Sequence, residues 1–133
     1  MSLYDQEYVE FWKKVVKKST IRMLILLTLV TEQYSTGFLI TKQIRNRVEK
    51  LFRISAGAIY PQIKELEEQG LVNSELEGTH SSEEQPSPPR KVYHLTQRGY
   101  ATTLEIQTQW ELLVSIVDSY LTEIRKLNQE EEE

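Results

Sequence analysis

The amino-acid sequence predicts a mainly α-helical protein with one small β-hairpin, an α+β fold. Apolar residues recur every three or four positions through most of the 133 residues, which is the period of amphipathic helices. Two short stretches, Leu71 to Glu77 and Lys91 to Leu95, alternate between apolar and polar residues instead, as the strands of a hairpin do. The chain is long enough for one domain with an ordinary core and short appendages.

The first element is predicted to be an amphipathic helix over residues 1–18, separate from the helix that follows. Its apolar side is mostly aromatic, and lysines lie between or after the aromatic residues. The members of this side are Tyr4, Tyr8, Phe11, Trp12, Val15 and Val16. Because this side is short, we expect it to pack on the body of the protein or on a second subunit rather than on a membrane surface.

Residues 19–96 are expected to form the central domain, with three helices followed by the hairpin. Ser19 or Thr20 would cap the first of these helices, Ile21 to about Glu32, which is apolar almost all round. The second helix would run from Phe38 to about Lys50. The residues that it is expected to bury are Ile40, Ile44, Val48 and Leu51.

The third helix of this domain, Ser55 to Gln69, has the most regular pattern in the chain although it contains Pro61. Its apolar stripe stays in phase on both sides of the proline, so the helix is predicted to continue through it. Gly70 is a natural residue for the end of this helix. The stripe consists of Ile59, Ile63 and Leu66.

Two loops are predicted within the central domain. Tyr34 to Gly37 would join the first two helices, and residues 78–89, rich in Ser, Pro and Glu, would form a flexible wing loop between the two strands. Thr96 would then cap a last helix, so that residues 97–133 contain a long helix and an acidic tail.

The last helix carries a heptad pattern. Its apolar residues follow one another in steps of four and three over three repeats, which is typical of a coiled-coil seam. A domain of this size can bury only part of such a seam, so we expect it to meet a partner, most simply a second copy of the chain. The predicted dimerisation residues are Ile106, Trp110, Leu113, Val117, Tyr120, Ile124 and Leu127.

Composition excludes several classes of function. The chain has no cysteine and two histidines, which excludes disulfides, thiolate chemistry and a histidine-rich metal site. Its sequence contains no nucleophile and base pair, phosphate-binding loop or metal-ligand spacing, so we expect no enzyme activity, metal or cofactor. The most apolar run, Ile21 to Val30, is about half the ~20 residues that span a bilayer, and no signal peptide is evident. We therefore expect a cytoplasmic protein without a membrane partner.

Charge is distributed unevenly along the chain. The net charge is −4, yet the segment from Lys13 to Arg53 holds ten basic residues and two acidic ones. This segregation indicates a surface for a polyanion on an otherwise acidic protein. A solvated basic face without a partner explains the charge alone equally well.

The order of three helices and a two-stranded hairpin is that of a winged helix-turn-helix, in which the third helix enters the major groove of DNA. The acidic residues of this helix lie in its second half, which suits DNA because recognition helices read bases with their N-terminal residues. The predicted DNA contacts are Lys42, Arg45, Ser55, Gly57, Ala58, Tyr60, Pro61, Lys64, Arg90 and Lys91. The rival interpretation is a winged-helix protein-interaction module that never binds double-stranded DNA.

Four motifs in this order resemble those of the PadR family of transcriptional regulators. They are Gly37-Phe38, SAGAIYP from Ser55, LEEQGLV from Leu66, and RKVYHLT from Arg90 with Arg98-Gly99 after it. The resemblance implies a homodimer joined through its C-terminal helices. The resemblance also implies a repressor that binds operator DNA, which is expected to be palindromic. It further implies that a small aromatic effector often releases the repressor from its operator.

Trp110 and Tyr120 are candidates for contacts with such an effector, because aromatic residues near the dimer axis line a pocket in some members of the family. A plain packing role explains Trp110 as well. The sequence also departs from the family pattern. Phe38 replaces the usual tyrosine, and Glu83 and Glu84 stand where the wing loop is usually basic, which argues against DNA contacts by the wing tip.

Overall fold

A computed structural model describes residues 3–77 and 90–132 of the chain. Within these residues, four helices and three short strands follow one another in the order α1 (Gln6–Glu32), β1 (Ser35–Thr36), α2 (Gly37–Val48), α3 (Ala56–Glu68), β2 (Val72–Glu77), β3 (Arg90–Leu95) and α4 (Gln97–Glu132). The strands form an antiparallel sheet in the spatial order β1-β3-β2. The predicted wing loop, including Glu83 and Glu84, lies outside the described residues.

The core lies between the second half of α1 and the helices α2 and α3, which together form the predicted winged helix-turn-helix. The apolar stripe of α3 is fully buried on both sides of Pro61, so the prediction of an uninterrupted helix is confirmed. The buried apolar residues are Ile21, Ile25, Leu26, Leu29, Ile40, Ile44, Ile54, Ile59, Ile63, Leu66 and Val72.

The prediction of a helix break before Ile21 is wrong, because α1 is one continuous helix. Its N-cap is Asp5, whose carboxylate accepts a hydrogen bond from the amide of Tyr8 at 3.0 Å. The hydroxyls of Ser19 and Thr20 instead donate to the carbonyl of Val16, at 3.0 and 2.7 Å. A hydroxyl within a helix can be satisfied in this way, so the same residue types that begin helices also fit in their interior.

The segment predicted as a loop before α2 contains the edge strand β1. Ser35 and Thr36 pair with Tyr93 and Val92 of the central strand β3. The side chain of Thr36 then caps α2 by accepting from the amide of Leu39 at 3.2 Å. A strand of two residues is too short to show an alternating pattern, which is why the sequence did not reveal it.

The expected burial of α2 residues is correct except at its end. Ile40 and Ile44 are buried and Val48 is half-buried, whereas Leu51 is 45% exposed. The helix ends at Val48, so Leu51 lies in the following turn and no longer follows the helical period. The side chain that the turn buries is Ile54.

The end of α3 is a complete Schellman motif, as the glycine suggested. Gly70 has a φ of +79°, its amide donates to the carbonyl of Glu67 at 3.1 Å, and the amide of Leu71 donates to that of Leu66 at 3.0 Å. The start of α3 is less conventional. Ser55 is its N-cap residue, but no hydrogen bond from its side chain to the helix is found in the described part of the chain.

The start of α4 is fixed to the end of α3 by the predicted cap Thr96. Its hydroxyl accepts from the amide of Gly99 at 2.9 Å and donates to the carbonyl of Gly70 at 2.8 Å. Gly99 lies so close to Leu71 that an added Cβ would be 2.8 Å from the carbonyl carbon of Leu71. From Gln107 onward, however, α4 is exposed on all sides. Within the described residues, no helix is both long and apolar enough to cross a membrane.

Candidate nucleic-acid interface

Tyr60 is the central residue of the candidate interface. It lies in the first half of α3 and is 43% exposed, with its ring against the backbone of Gly37 at the start of α2. A Cβ on Gly37 would be 3.2 Å from both Cδ1 and Cζ of Tyr60 and still closer to Cε1. The glycine of the Gly37-Phe38 motif therefore makes room for this ring.

On one side of Tyr60, an open groove of about 740 Å³ runs between α2, the α2–α3 turn and the start of α3. We call it the helix groove. It brings together the predicted contacts Lys42 and Arg45, and it adds Arg53, which is not among the contacts predicted from the sequence. Glu49 lines the same groove, so the three cations leave it with an excess of positive charge next to α3, which is suited to phosphate groups.

Arg53 was missed because it lies in the turn between α2 and α3, where helical periodicity assigns no face. The only signal for it in the sequence is its membership of the basic segment. Phe38 and Phe52 also line the helix groove, so its surface is partly apolar as well as cationic.

On the other side of Tyr60, a second groove of about 520 Å³ lies between α2 and the hairpin. We call it the wing groove. It brings the predicted contacts Arg90 and Lys91 of β3 together with Tyr60, and Tyr93 also lines it. Tyr60 borders both grooves, so one side chain of α3 lies between the cations of α2 and those of the wing.

The remaining predicted contacts on α3 lie where the helical period put them. Ser55, Gly57, Pro61 and Lys64 are exposed, and Ala58 is half-buried. Among the described residues, and beyond the neighbouring backbone of α3 itself, the atom nearest to a Cβ added to Gly57 is the Ser55 hydroxyl oxygen at 3.8 Å. The protein itself therefore has room for a side chain at Gly57, and its small size is not needed for the fold.

Two of the acidic residues in the second half of α3 are paired with cations. Arg22 of α1 forms an ion pair with Glu65 and donates a hydrogen bond to Gln62. Glu67 lies 3.5 Å from the ammonium of Lys91 on β3. These pairs reduce the negative charge that this half of the helix presents to a polyanion.

The environment of the hairpin is aromatic as well as charged. Burial raises the pKa of Tyr93 above its ordinary value. The charge of Lys91 lowers this pKa, whereas Glu67 and Tyr60 raise it further. His94 lies with its Nε2 atom 3.5 Å from Glu75 Oε1, and its ring centroid is 5.4 Å from that of Tyr34. Among the described residues, no group of three or more metal-ligating side chains could hold a metal ion.

The predicted dimerisation residues all lie on α4, and most of them are exposed in the single chain. Ile106 is half-buried and packs against the core, and the others are exposed; they are Trp110, Leu113, Val117, Tyr120, Ile124 and Leu127. Trp110 and Tyr120 stand about 15 Å apart along the helix axis. One α4 helix alone therefore does not bring the two candidate effector residues together.

A family model described as the transcriptional regulator PadR-like family matches residues 26–105 of the chain. The chain is similar to a PadR family transcriptional regulator from Eggerthella lenta of known crystal structure, with 26% identity and a TM-score of 0.64 over 88% of this chain and 97% of that one. It is similarly related to a transcriptional regulator from Clostridium thermocellum, with 25% identity and a TM-score of 0.61 over 78% and 92% of the two chains.

Two further likenesses are more distant or less informative. Bacillus subtilis PadR, in its complex with operator DNA, shares the fold at 19% identity and a TM-score of 0.55, over 66% of this chain and 46% of that one. An uncharacterized protein of Lysinibacillus sphaericus is 25% identical over 97 residues, which are 73% of this chain and 84% of that protein. The solved structures agree with the winged-helix architecture described above.

Proposed function

Because the chain belongs to the PadR-like family of transcriptional regulators, we propose that it binds double-stranded DNA with sequence specificity through α3. The observation that carries this proposal is the position of Tyr60 between two grooves with cations on both sides. Lys42, Arg45 and Arg53 would contact phosphates next to the helix groove, and Arg90 and Lys91 would do so next to the wing groove.

In this proposal, the first half of α3 enters the major groove. Its exposed face is small at Gly57 and Pro61, which lets the helix backbone come close to the duplex. Tyr60 and Lys64 extend from the same half of the helix and would reach base edges or phosphates. Pro61 gives up a backbone amide on the exposed side of the helix, where it breaks no contact with the core.

The functional unit of the proposal is a homodimer joined through α4. The apolar seam of this helix is exposed over its outer part, and an exposed apolar surface of this extent favours association. The aromatic side of α1 before Ile21 is also exposed and would lengthen the contact. The same part of α1 contains four lysines, which are opposite in sign to the glutamates at the end of α4. A two-fold dimer presents two recognition helices, so its operator would be palindromic.

Regulation is the finer part of the proposal. The dimer would repress by occupying its operator in the cytoplasm, and a small planar aromatic effector would release it. Trp110 and Tyr120 from two α4 helices would then line the effector site, because packing of a second α4 against the first is needed to enclose them.

The test is selection of bound fragments from a random pool of duplex DNA by the purified protein. An enriched inverted repeat is expected, with an affinity that falls steeply as salt rises, because each phosphate contact releases counterions. Replacing Lys64 by Ala removes one contact from each subunit of the proposed dimer, so it should reduce the slope of log affinity against log salt by about 1.8, which is about 0.9 for each subunit. Lys126→Ala removes the same charge from α4 and is the matched control, for which no change in slope is expected.

The rival function, a winged-helix protein-interaction module, makes the opposite prediction. It requires that no duplex is enriched and that no binding occurs even at low salt. The effector part of the proposal is tested by repeating the selected binding assay with planar aromatic compounds. If Trp110→Ala and the unchanged protein release DNA at the same compound concentration, the assignment of Trp110 to an effector site is wrong.

A further inference from the structure

Glu67 connects the recognition helix to both strands of the wing. Its Oε1 atom lies 3.5 Å from Nζ of Lys91 on β3, and its Oε2 atom accepts a hydrogen bond from the hydroxyl of Ser74 on β2. We call Glu67, Ser74 and Lys91 the wing latch. A single carboxylate thus uses its two oxygens on two neighbouring strands.

The latch lies on the side of α3 that faces the hairpin. Glu67 follows Tyr60 by seven residues, so the two side chains project from nearly the same side of the helix, about 10 Å apart along its axis. Ser74 pairs with Tyr93 across the two strands, and Lys91 precedes Tyr93 by two residues. Ser74, Lys91 and Tyr93 therefore lie on one face of the sheet. The Lys91 ammonium is 5.7 Å from the centre of the Tyr93 ring.

The charge of Glu67 is costly at this place in a DNA-binding protein. A carboxylate next to the cations of the wing groove repels phosphates and competes with them for Lys91. Stability alone explains its presence poorly, because the Lys91 side chain is 53% exposed and pairs of this kind contribute little to the free energy of unfolding. A geometric role accounts better for a carboxylate that holds two strands at once.

We propose that Glu67 is a positioning residue for DNA binding, which holds the hairpin against α3 so that Arg90 and Lys91 meet the DNA backbone in register with Tyr60. The inference rests on the proposed DNA-binding function. Without the latch, the hairpin turns away from α3 and Arg90 loses its phosphate contact. Lys91 acts in the latch through its ion pair with Glu67, and Ser74 restricts the rotation of the same carboxylate.

The test compares Glu67→Gln with Glu68→Gln. Both variants remove one negative charge from neighbouring positions of α3, but Glu68 is exposed and outside the latch. With DNA, Glu67→Gln should bind the selected operator about twofold to fivefold more weakly than Glu68→Gln. Its salt slope should also be smaller by about 1.8, the amount expected when each of the two subunits loses one phosphate contact. A merely stabilising role would leave this slope unchanged.

A second measurement needs no DNA. Amide hydrogen exchange of the β2–β3 hairpin should be faster in Glu67→Gln than in Glu68→Gln, with the exchange of α2 the same in both. Ser74→Ala removes only the hydroxyl bond and should give a smaller increase in the same amides.

The outcomes separate this inference from the function on which it rests. If the unchanged protein binds no duplex, the proposed function fails and the hydrogen exchange alone decides whether Glu67 holds the wing. If the unchanged protein binds its operator and Glu67→Gln binds as tightly as Glu68→Gln with the same salt slope, DNA binding stands and the positioning role is refuted.

Discussion

The ring of Tyr60 lies against Gly37, so that α3 and the start of α2 meet at a position where no side chain fits. This contact fixes the direction in which Tyr60 leaves α3. It also separates the helix groove from the wing groove, since Tyr60 borders both of them. The properties of the interface therefore depend on a residue that carries no side chain.

Replacing Gly37 by Ala should displace Tyr60 while the protein stays folded, because a half-exposed ring can turn outward. We expect the loss of operator affinity to approach that of Tyr60→Ala. In the double variant, the Gly37 change should add almost nothing, since the two residues act through one contact. Fluorescence anisotropy of a labelled duplex measures the affinity of the unchanged protein, the two single variants and the double variant. If the loss in the double variant equals the sum of the two single losses, the coupling is contradicted.

Gly57→Ala tests how closely α3 approaches DNA. In the part of the chain that the structure describes, the nearest atom beyond the neighbouring backbone of α3 is the Ser55 hydroxyl oxygen at 3.8 Å, so the fold accommodates the added methyl group. Exchange of glycine for alanine in a helix should raise the free energy of unfolding by up to about 1 kcal/mol. Operator affinity should nevertheless fall. A variant with a higher melting temperature and unchanged affinity would show that the backbone at Gly57 is not close to the duplex.

Replacing Val117 by Glu should separate the proposed dimer, because it places a charge in the seam of α4. Ser119→Glu adds the same charge two residues away on α4, outside the seam, and serves as the control. Sedimentation velocity should give a monomer for the first variant and a dimer for the second. The Val117 variant should also lose most of its operator affinity, because two linked half-sites bind far more tightly than one.

Arg22→Gln should destabilise the contact between α1 and α3. The change removes the ion pair with Glu65, whose partners are both about half exposed, so the loss in the free energy of unfolding should be about 0.5–1 kcal/mol. Urea titration followed by circular dichroism measures this loss. Lys18→Gln removes a charge from an exposed position of the same helix and should leave the urea midpoint unchanged.

Tyr93 should make the fold sensitive to alkali. Burial raises the pKa of Tyr93 in the folded protein, so the folded state holds the phenol proton more tightly than the unfolded state does. The contribution of Tyr93 to the free energy of unfolding is therefore complete below the pKa of the unfolded state, about 10, and is lost as the pH rises through the higher pKa of the folded state. In the same buffers, the Tyr93→Phe variant should lose less stability than the unchanged protein between about pH 9 and about pH 11. These two pH values lie about one unit below and above the pKa of tyrosine in the unfolded chain.

Much of the fold follows from local pattern. The continuous stripe through Pro61, the end of α3 at Gly70 and the Thr96 cap are all confirmed predictions, because each depends on residues within a few positions of one another. The family match also confirms the prediction of a transcriptional regulator rather than an enzyme. The errors have a local cause as well, since Ser19 and Thr20 have the chemistry of caps but lie within α1.

The candidate site was less accessible to sequence reasoning. The exposed side of α3 and the cations of α2 and β3 followed from helical and strand periods. The position of Arg53 did not follow from such a period, because a turn has none. The ion pairs of Glu65 and Glu67 could not be predicted from periods either.

The sequence by itself determined where α3 ends and where α4 begins, which face of α3 is buried, and that α4 carries an apolar seam. Only the tertiary structure decided that Tyr60 lies between two grooves and that Arg22 and Lys91 pair with the acids of α3. The physical reason is the range of the interactions. Helical periods and caps act within about four residues, whereas Arg22 and Gln62 are 40 positions apart and meet only when α1 packs on α3.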